Sequence, residues 1–184
     1  MKIGVFFAKG YEEIEALTVV DLCRRAGIDV TMVSVDGTQS VVGSHNMDVR
    51  MDAMLEDVDF DGLDMMVLPG GKAGTQGLEA CEGLMAQLDR FYAQGKWVAA
   101  ICAAPSILGH RGMLKGRRAT CYPTFEGHLE GAEVTRRPAE ADGNVITGRG
   151  MGCAVDFGLL IVEKLISAQA AKQLAEQVVY ERQS

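Results

Sequence analysis

The sequence predicts an α/β fold in which a mostly parallel sheet is covered by helices on both faces. Short apolar, β-branched runs alternate with segments of helical period along the whole chain, which is the pattern of strands joined by crossover helices. Repeats, linkers and low-complexity stretches are absent, so the alternation is never interrupted. With 184 residues, 48% of them hydrophobic and only 6% aromatic, the chain can bury one full core built mainly from aliphatic side chains and ten methionines. One domain over residues 1–184 is expected.

The first strand is the apolar run Ile3–Ala8. A helix over Glu12–Ala26 follows, with Glu15, Val19, Leu22 and Ala26 on one face and Gly27 as its terminator. Asp29–Ser34 is the second strand, and Val41–Val42 with Met47–Met51 forms a hairpin-like insertion after it. Met65–Leu68 and Trp97–Ile101 are short and wholly apolar, as strands buried on both faces are. Helices are expected at Leu84–Ala93, Ala104–His110, Cys153–Ile166 and Ala168–Arg182. Asn144–Thr147 is a further strand, and a short one is expected at Arg118–Cys121. The polar, weakly periodic segment Glu126–Asp142 is placed at the sheet edge as strands or loops.

Charge and composition remove several classes of function. A net charge of −7 and a pI near 5.0 do not suit a nucleic-acid binder, which needs a basic face to displace counterions from phosphates. The N-terminus enters a strand pattern without a basic leader, and no apolar run approaches the roughly 20 residues of a membrane span, so a soluble, cytoplasmic protein is expected. Cys23, Cys81, Cys102, Cys121 and Cys153 form an odd set without C-x-x-C spacing. Neither a disulfide framework nor a zinc site is indicated, and free thiols are expected.

Ligands of parallel α/β sheets bind beyond the carboxyl ends of the strands. Three loops lie there: Ala8–Glu12, Pro69–Gly74 and the corner at Cys102. A strand that turns at once into a helix puts Cys102 on a sharp bend beside the positive end of a helix dipole, which exposes the sulfur and lowers its pKa. Glu15 stands on the apolar stripe of its helix; it is either a partly exposed acid near a helix start or a buried carboxyl that keeps its proton and donates to a neighbouring thiolate. Glu12 and Glu13 look like solvated first-turn acids.

Pro69-Gly70-Gly71-Lys72-Ala73-Gly74 is not a phosphate loop, because Ala73 stands where Ser or Thr is needed after the lysine. It is a tight turn, or an oxyanion hole made together with the Ala103 N–H. Gly148-Arg149-Gly150-Met151-Gly152 mimics part of a dinucleotide fingerprint without a following βαβ unit, so close packing or a turn is the better account. His110 lies eight residues past Cys102, about 12 Å along a shared helix, while His45 falls in the insertion and His128 in the irregular segment. A protease-like Cys-His pair has no local support.

The residues Ala8-Lys9-Gly10-Tyr11-Glu12-Glu13-Ile14-Glu15, Leu68-Pro69-Gly70-Gly71 and Ala100-Ile101-Cys102-Ala103-Ala104-Pro105 strongly resemble the ThiJ/PfpI superfamily, in its DJ-one-like branch. The resemblance extends through Gly148-Arg149-Gly150 and the helix Cys153–Ile166. It implies a flavodoxin-like sheet sandwich of the class I glutamine-amidotransferase-like type, a homodimer, and a cysteine hydrogen-bonded to a protonated glutamate, matched here by Cys102 and Glu15. It assigns the oxyanion site to the Gly71 and Ala103 N–H groups, with Gly70, Tyr122 and Arg149 lining the site. It further implies a cofactor-independent glyoxalase or protein deglycase acting on reactive dicarbonyls or glycated substrates, or an oxidative-stress sensor or chaperone working through Cys102 oxidation. No metal is implied. Tyr122 stands where many relatives have a histidine, and Ala103 where the protease-like branch has one, so peptidase activity is not expected.

Overall fold

The computed structural model describes residues 1–181. Its strands are β1 (Lys2–Phe7), β2 (Asp29–Ser34), β3 (Ser40–Val42), β4 (Asp48–Arg50), β5 (Ala53–Met54), β6 (Met65–Leu68), β7 (Trp97–Ile101), β8 (Arg118–Ala119), β9 (Glu133–Val134), β10 (Ala139–Asp142) and β11 (Val145–Gly148). The helices are α1 (Glu13–Arg25), α2 (Lys72–Ala80), α3 (Glu82–Ala93), α4 (Pro105–His110), α5 (Ala154–Leu165) and α6 (Ala168–Gln177). Seven strands form one sheet in the order β10-β11-β7-β6-β1-β2-β5, parallel except for the antiparallel pair β10 and β11. The expected fold class is therefore the observed one.

Alternation along the central strands divides the core in two. Ile3, Val5 and Phe7 of β1, with Ala99 and Ile101 of β7, face Val19 and Leu22 of α1, Phe157 and Ile161 of α5 and Leu174 of α6. Phe6, Val98 and Ala100 point the other way, onto Leu78, Leu84, Leu88, Phe91 and Ile107 of α2, α3 and α4. Every residue of β6 is buried, as its unbroken apolar run Met65-Met66-Val67-Leu68 requires.

Three elements differ from the sequence expectation. The Gly-rich turn is shorter than the sequence pattern predicts, because α2 begins at Lys72 directly after Gly71; its two glycines, Gly74 and Gly77, disguise it as loop. Gly74 is needed there, since a Cβ would approach within 2.6 Å of the Tyr11 Cα. The last helix ends at Gln177, with Val178 and Val179 in a turn and Val179 at φ 55°; the expected end at Arg182 lies outside the described residues. The short strand near Arg118 holds only two residues and pairs with β9 in a separate ribbon. The insertion after β2 is the expected hairpin, with β3 and β4 antiparallel.

In the sheet order β6 lies between β1 and β7. The turn after β6 is thereby placed between the loop that leads into α1 and the corner that leads into α4.

Candidate active site

Cys102 follows β7 directly and has φ 64°, a left-handed conformation that costs a residue with a Cβ about 1–3 kcal/mol. Its neighbours hold it there. Its N–H donates to the Gly148 carbonyl at 3.0 Å, and its own carbonyl accepts the Tyr122 N–H at 2.8 Å. Strand alternation alone would send residue 102 to the face of Val98 and Ala100; the positive φ instead packs it with the core on the α1 side, the side that carries Glu15. The sulfur remains partly exposed.

Glu15 sits in the first turn of α1 and is only 1% exposed. Glu12 caps the helix, its Oε2 accepting the Glu15 N–H at 2.8 Å. One carboxyl oxygen, Oε2, accepts the Gly70 N–H at 3.1 Å, whereas Oε1 is buried without a hydrogen-bonding nitrogen or oxygen. The carboxyl engages the Cys102 thiol. Gly70 is wedged between them: a Cβ there would strike Glu15 Oε2 and stand 2.6 Å from the Cys102 Cβ. Gly71, at φ 86°, is packed as tightly, because its Cβ would run into the Gly10 carbonyl. Backbone N–H groups of Gly71 and Ala103 donate toward the Cys102 sulfur.

Burial raises the Glu15 carboxyl to about 7, aided by the charge on Glu12 and opposed by its hydrogen bonds to Cys102 and Gly70. While Glu15 is ionised, burial and then its negative charge push the Cys102 thiol up to about 12, against the pull of the two N–H groups. This departs from the low thiol pKa expected of the bend, because burial and the neighbouring charge outweigh the helix end. The two groups hold one negative charge between them. The sulfur is partly exposed and faces two N–H donors, whereas the carboxyl is fully buried with one. The other perturbed thiols, Cys23, Cys121 and Cys153, are each raised first by burial and have no backbone donors of this kind.

Tyr122 meets the site through its backbone, while its side chain is 47% exposed and its ring lies near Gly150. The Arg149 guanidinium reaches the Arg136 carbonyl at 2.8 Å and lies within electrostatic range of Cys121 and Cys153. None of the three histidines is a hydrogen-bond partner of Cys102 among the described residues.

Glu13 is not the solvated acid its position suggests; it is 2% exposed. Its carboxylate accepts the His45 N–H at 2.7 Å and the Ser44 hydroxyl at 3.0 Å, and His45 Nδ1 lies 3.0 Å away. Gly43 leaves the room, since a Cβ would collide with the Glu13 carboxyl. The partners come from the hairpin some thirty residues on, so no local pattern announces the contact. Glu12, Glu13 and His45 bring potential metal-ligating atoms within 4.8 Å of one another. They do not suit a cation, because the Glu13 oxygens are already engaged and the helix N-terminus is itself positive.

A parallel α/β sheet with a strained cysteine at a strand-to-helix corner, facing a buried carboxyl and two backbone N–H groups, defines a nucleophile-elbow cysteine protein. The chain belongs to the DJ-1/PfpI family, whose profile matches residues 1–164. It is 36% identical over 174 residues to the Parkinson disease protein 7 homolog of Danio rerio, covering 92% of each chain. It is 34% identical over 180 residues to protein DJ-1 homolog B of Arabidopsis thaliana, covering 97% of this chain and 41% of that one. The chain thus spans less than half the length of that plant relative. The solved structure of oxidized Toxoplasma gondii DJ-1 superposes with a TM-score of 0.94 at 33% identity, covering 98% of this chain and 99% of that one.

Proposed function

We propose that the chain is a cysteine-dependent, cofactor-independent glyoxalase or deglycase-like enzyme acting on small reactive dicarbonyls or on glycation adducts. The single observation that supports this reading is the Glu15 carboxyl, 1% exposed and set against the Cys102 side chain with only Gly70 between them. A relative named deglycase TK1284, from Thermococcus kodakarensis, is 32% identical over 154 residues, covering 83% of this chain and 92% of that one, and supports the same direction.

With methylglyoxal the geometry supports the following steps. The Cys102 thiolate adds to the aldehyde carbon, and the electrons of the carbonyl bond move to oxygen, where the Gly71 and Ala103 N–H groups meet the developing charge. Protonated Glu15 gives its proton to that oxygen and forms a hemithioacetal. The resulting carboxylate takes the proton from the former aldehyde carbon, giving an enediolate, and returns it to the adjacent carbon, while the hydroxyl proton on the former aldehyde oxygen passes to the neighbouring oxygen, leaving a thioester of lactate on Cys102. Water hydrolyses the thioester, releasing lactate and restoring the thiol. A group poised near neutral pH suits both halves of this proton transfer.

The test is lactate release from methylglyoxal under anaerobic, reducing conditions. Wild type is expected to turn over many equivalents, and both Cys102→Ala and Glu15→Gln to fall by at least about a hundredfold. Turnover that survives Cys102→Ala overturns the reading. A second reading, a redox sensor or redox-regulated chaperone in which the accessible Cys102 thiol is oxidised, is favoured by the partial exposure of the sulfur and by the relative solved in an oxidized form. It predicts no anaerobic turnover. In either case we infer a homodimer in the cytoplasm; no helix among the described residues is long and apolar enough to cross a membrane.

A further inference from the structure

Away from the cysteine, three elements converge on a cluster the proposed chemistry does not use. His110 closes α4, His128 closes the short 3₁₀ segment Pro123–His128, and Glu79 lies in the last turn of α2. The His110 Nε2 stands 3.0 Å from the His128 Nδ1, and the His110 Nδ1 stands 2.7 Å from the Glu79 carboxylate. Gly109 permits this approach, since a Cβ there would collide with the His128 carbonyl. The rings meet edge to face with centroids 5.1 Å apart, and the His110 and Glu79 side chains are 35% and 37% exposed. Neighbouring charges are engaged elsewhere, Arg111 with Asp89 and Glu126 with Arg136.

We propose that His110 and His128 form a two-imidazole site for a divalent transition metal ion of the nickel and zinc class, with Glu79 as the positioning residue for His110. The carboxylate holds the Nδ1–H of His110, which fixes the tautomer and leaves Nε2 bare, the arrangement that second-shell carboxylates impose on metal-binding histidines. The proton between the two rings therefore belongs to His128. To ligate, His128 moves that proton from Nδ1 to Nε2 through solvent, so both nitrogens offer a lone pair and the site takes up the ion with no net change in protons. Two nitrogens each about 2.0–2.1 Å from the ion lie roughly 2.9 Å apart at the right angle nickel prefers and roughly 3.3 Å apart around a tetrahedral zinc, within a few tenths of the present separation. Both rings are at the surface and can turn by that amount, and the open side leaves the other positions to water. An ion held here ties the end of α4 to the segment that begins after Tyr122. Both elements start at the Cys102 corner.

The experiment is calorimetric titration of the Cys102→Ser chain with Ni²⁺, the substitution removing the partly exposed thiol of the corner as a competing ligand. One saturable equivalent is expected. His110→Ala and His128→Ala should each weaken binding by more than about tenfold, and Glu79→Gln by about tenfold. Thermal denaturation should rise with Ni²⁺ in the Cys102→Ser chain and not in its His128→Ala derivative. His128 is exposed, so that derivative keeps its fold, which circular dichroism checks. Absence of saturable binding below about 1 mM, or binding untouched by both histidine substitutions, overturns the site and leaves the pair a plain hydrogen bond.

Discussion

Cys102 and Glu15 are 87 residues apart and act as one titrating unit, which makes the pair testable without any substrate. If Glu15 is the protonated partner, it donates to the thiolate, and replacing it with an amide of similar shape weakens that donation. Glu15→Gln is therefore expected to raise the thiolate inflection, followed by ultraviolet absorbance, by about a unit or less. A fall of the inflection would mean that wild-type Glu15 carries the charge and repels the thiolate. The sequence could place Cys102 on a bend, because an apolar strand ran straight into a helix pattern. It could not decide whether Glu15 was buried, since the answer depends on β6 delivering Gly70 against it. It misread Glu13 for the same reason, because the donors that fill its carboxylate belong to the hairpin.

At the scale of elements, the hairpin β3–β4 is fastened to the loop before α1. Gly10 N–H donates to the Val42 carbonyl at 2.8 Å, Ser44 N–H donates to the Tyr11 carbonyl at 2.8 Å, and the buried Glu13 carboxylate receives Ser44 and His45. Burial alone would raise Glu13, but the hydrogen bonds from His45 and Ser44 outweigh it and hold the carboxyl at about 2. A carboxyl lowered on folding contributes stability that is present above its ordinary value of 4.5 and lost as pH falls through about 2. Chemical denaturation of wild type should therefore lose stability steeply between those limits, and Glu13→Gln should flatten that part of the profile. An unchanged slope would show that the latch does not contribute. The same loop meets the β6 turn through the Glu12 N–H and the Gly70 carbonyl at 3.0 Å, so the hairpin, the α1 start and the oxyanion turn form one connected rim.

Across the whole molecule, an apolar groove of about 720 Å³ runs along α1, α5, the hairpin and the turn after α6, lined by Ile14, Leu17, Met47, Val155 and Val179. Ile14, Met47 and Val179 are 48%, 52% and 89% exposed, a concentration of large side chains that a solvated surface does not explain. We expect this face to bury itself against a second copy. Sedimentation should give a dimer for wild type, and Ile14→Lys should shift it toward monomer without loss of helical circular dichroism. A monomeric wild type sinks the idea. Ile14 neighbours Glu13 and Glu15 in sequence, so one turn of α1 carries the latch, the acid and part of this face.

The sequence by itself determined the layered α/β fold, the buried central strands, the hairpin and the cysteine corner, because each is written in local periodicity and in the order of apolar runs. It hid α2, whose glycines Gly74 and Gly77 serve close packing rather than a loop. Only the tertiary structure decided which groups meet. The order β7-β6-β1 sets the Gly70 turn between Cys102 and Glu15, and the left-handed backbone at Cys102 turns its thiol to the α1 side. Such contacts depend on strand order and on a single dihedral angle, neither of which leaves a periodic trace in the chain.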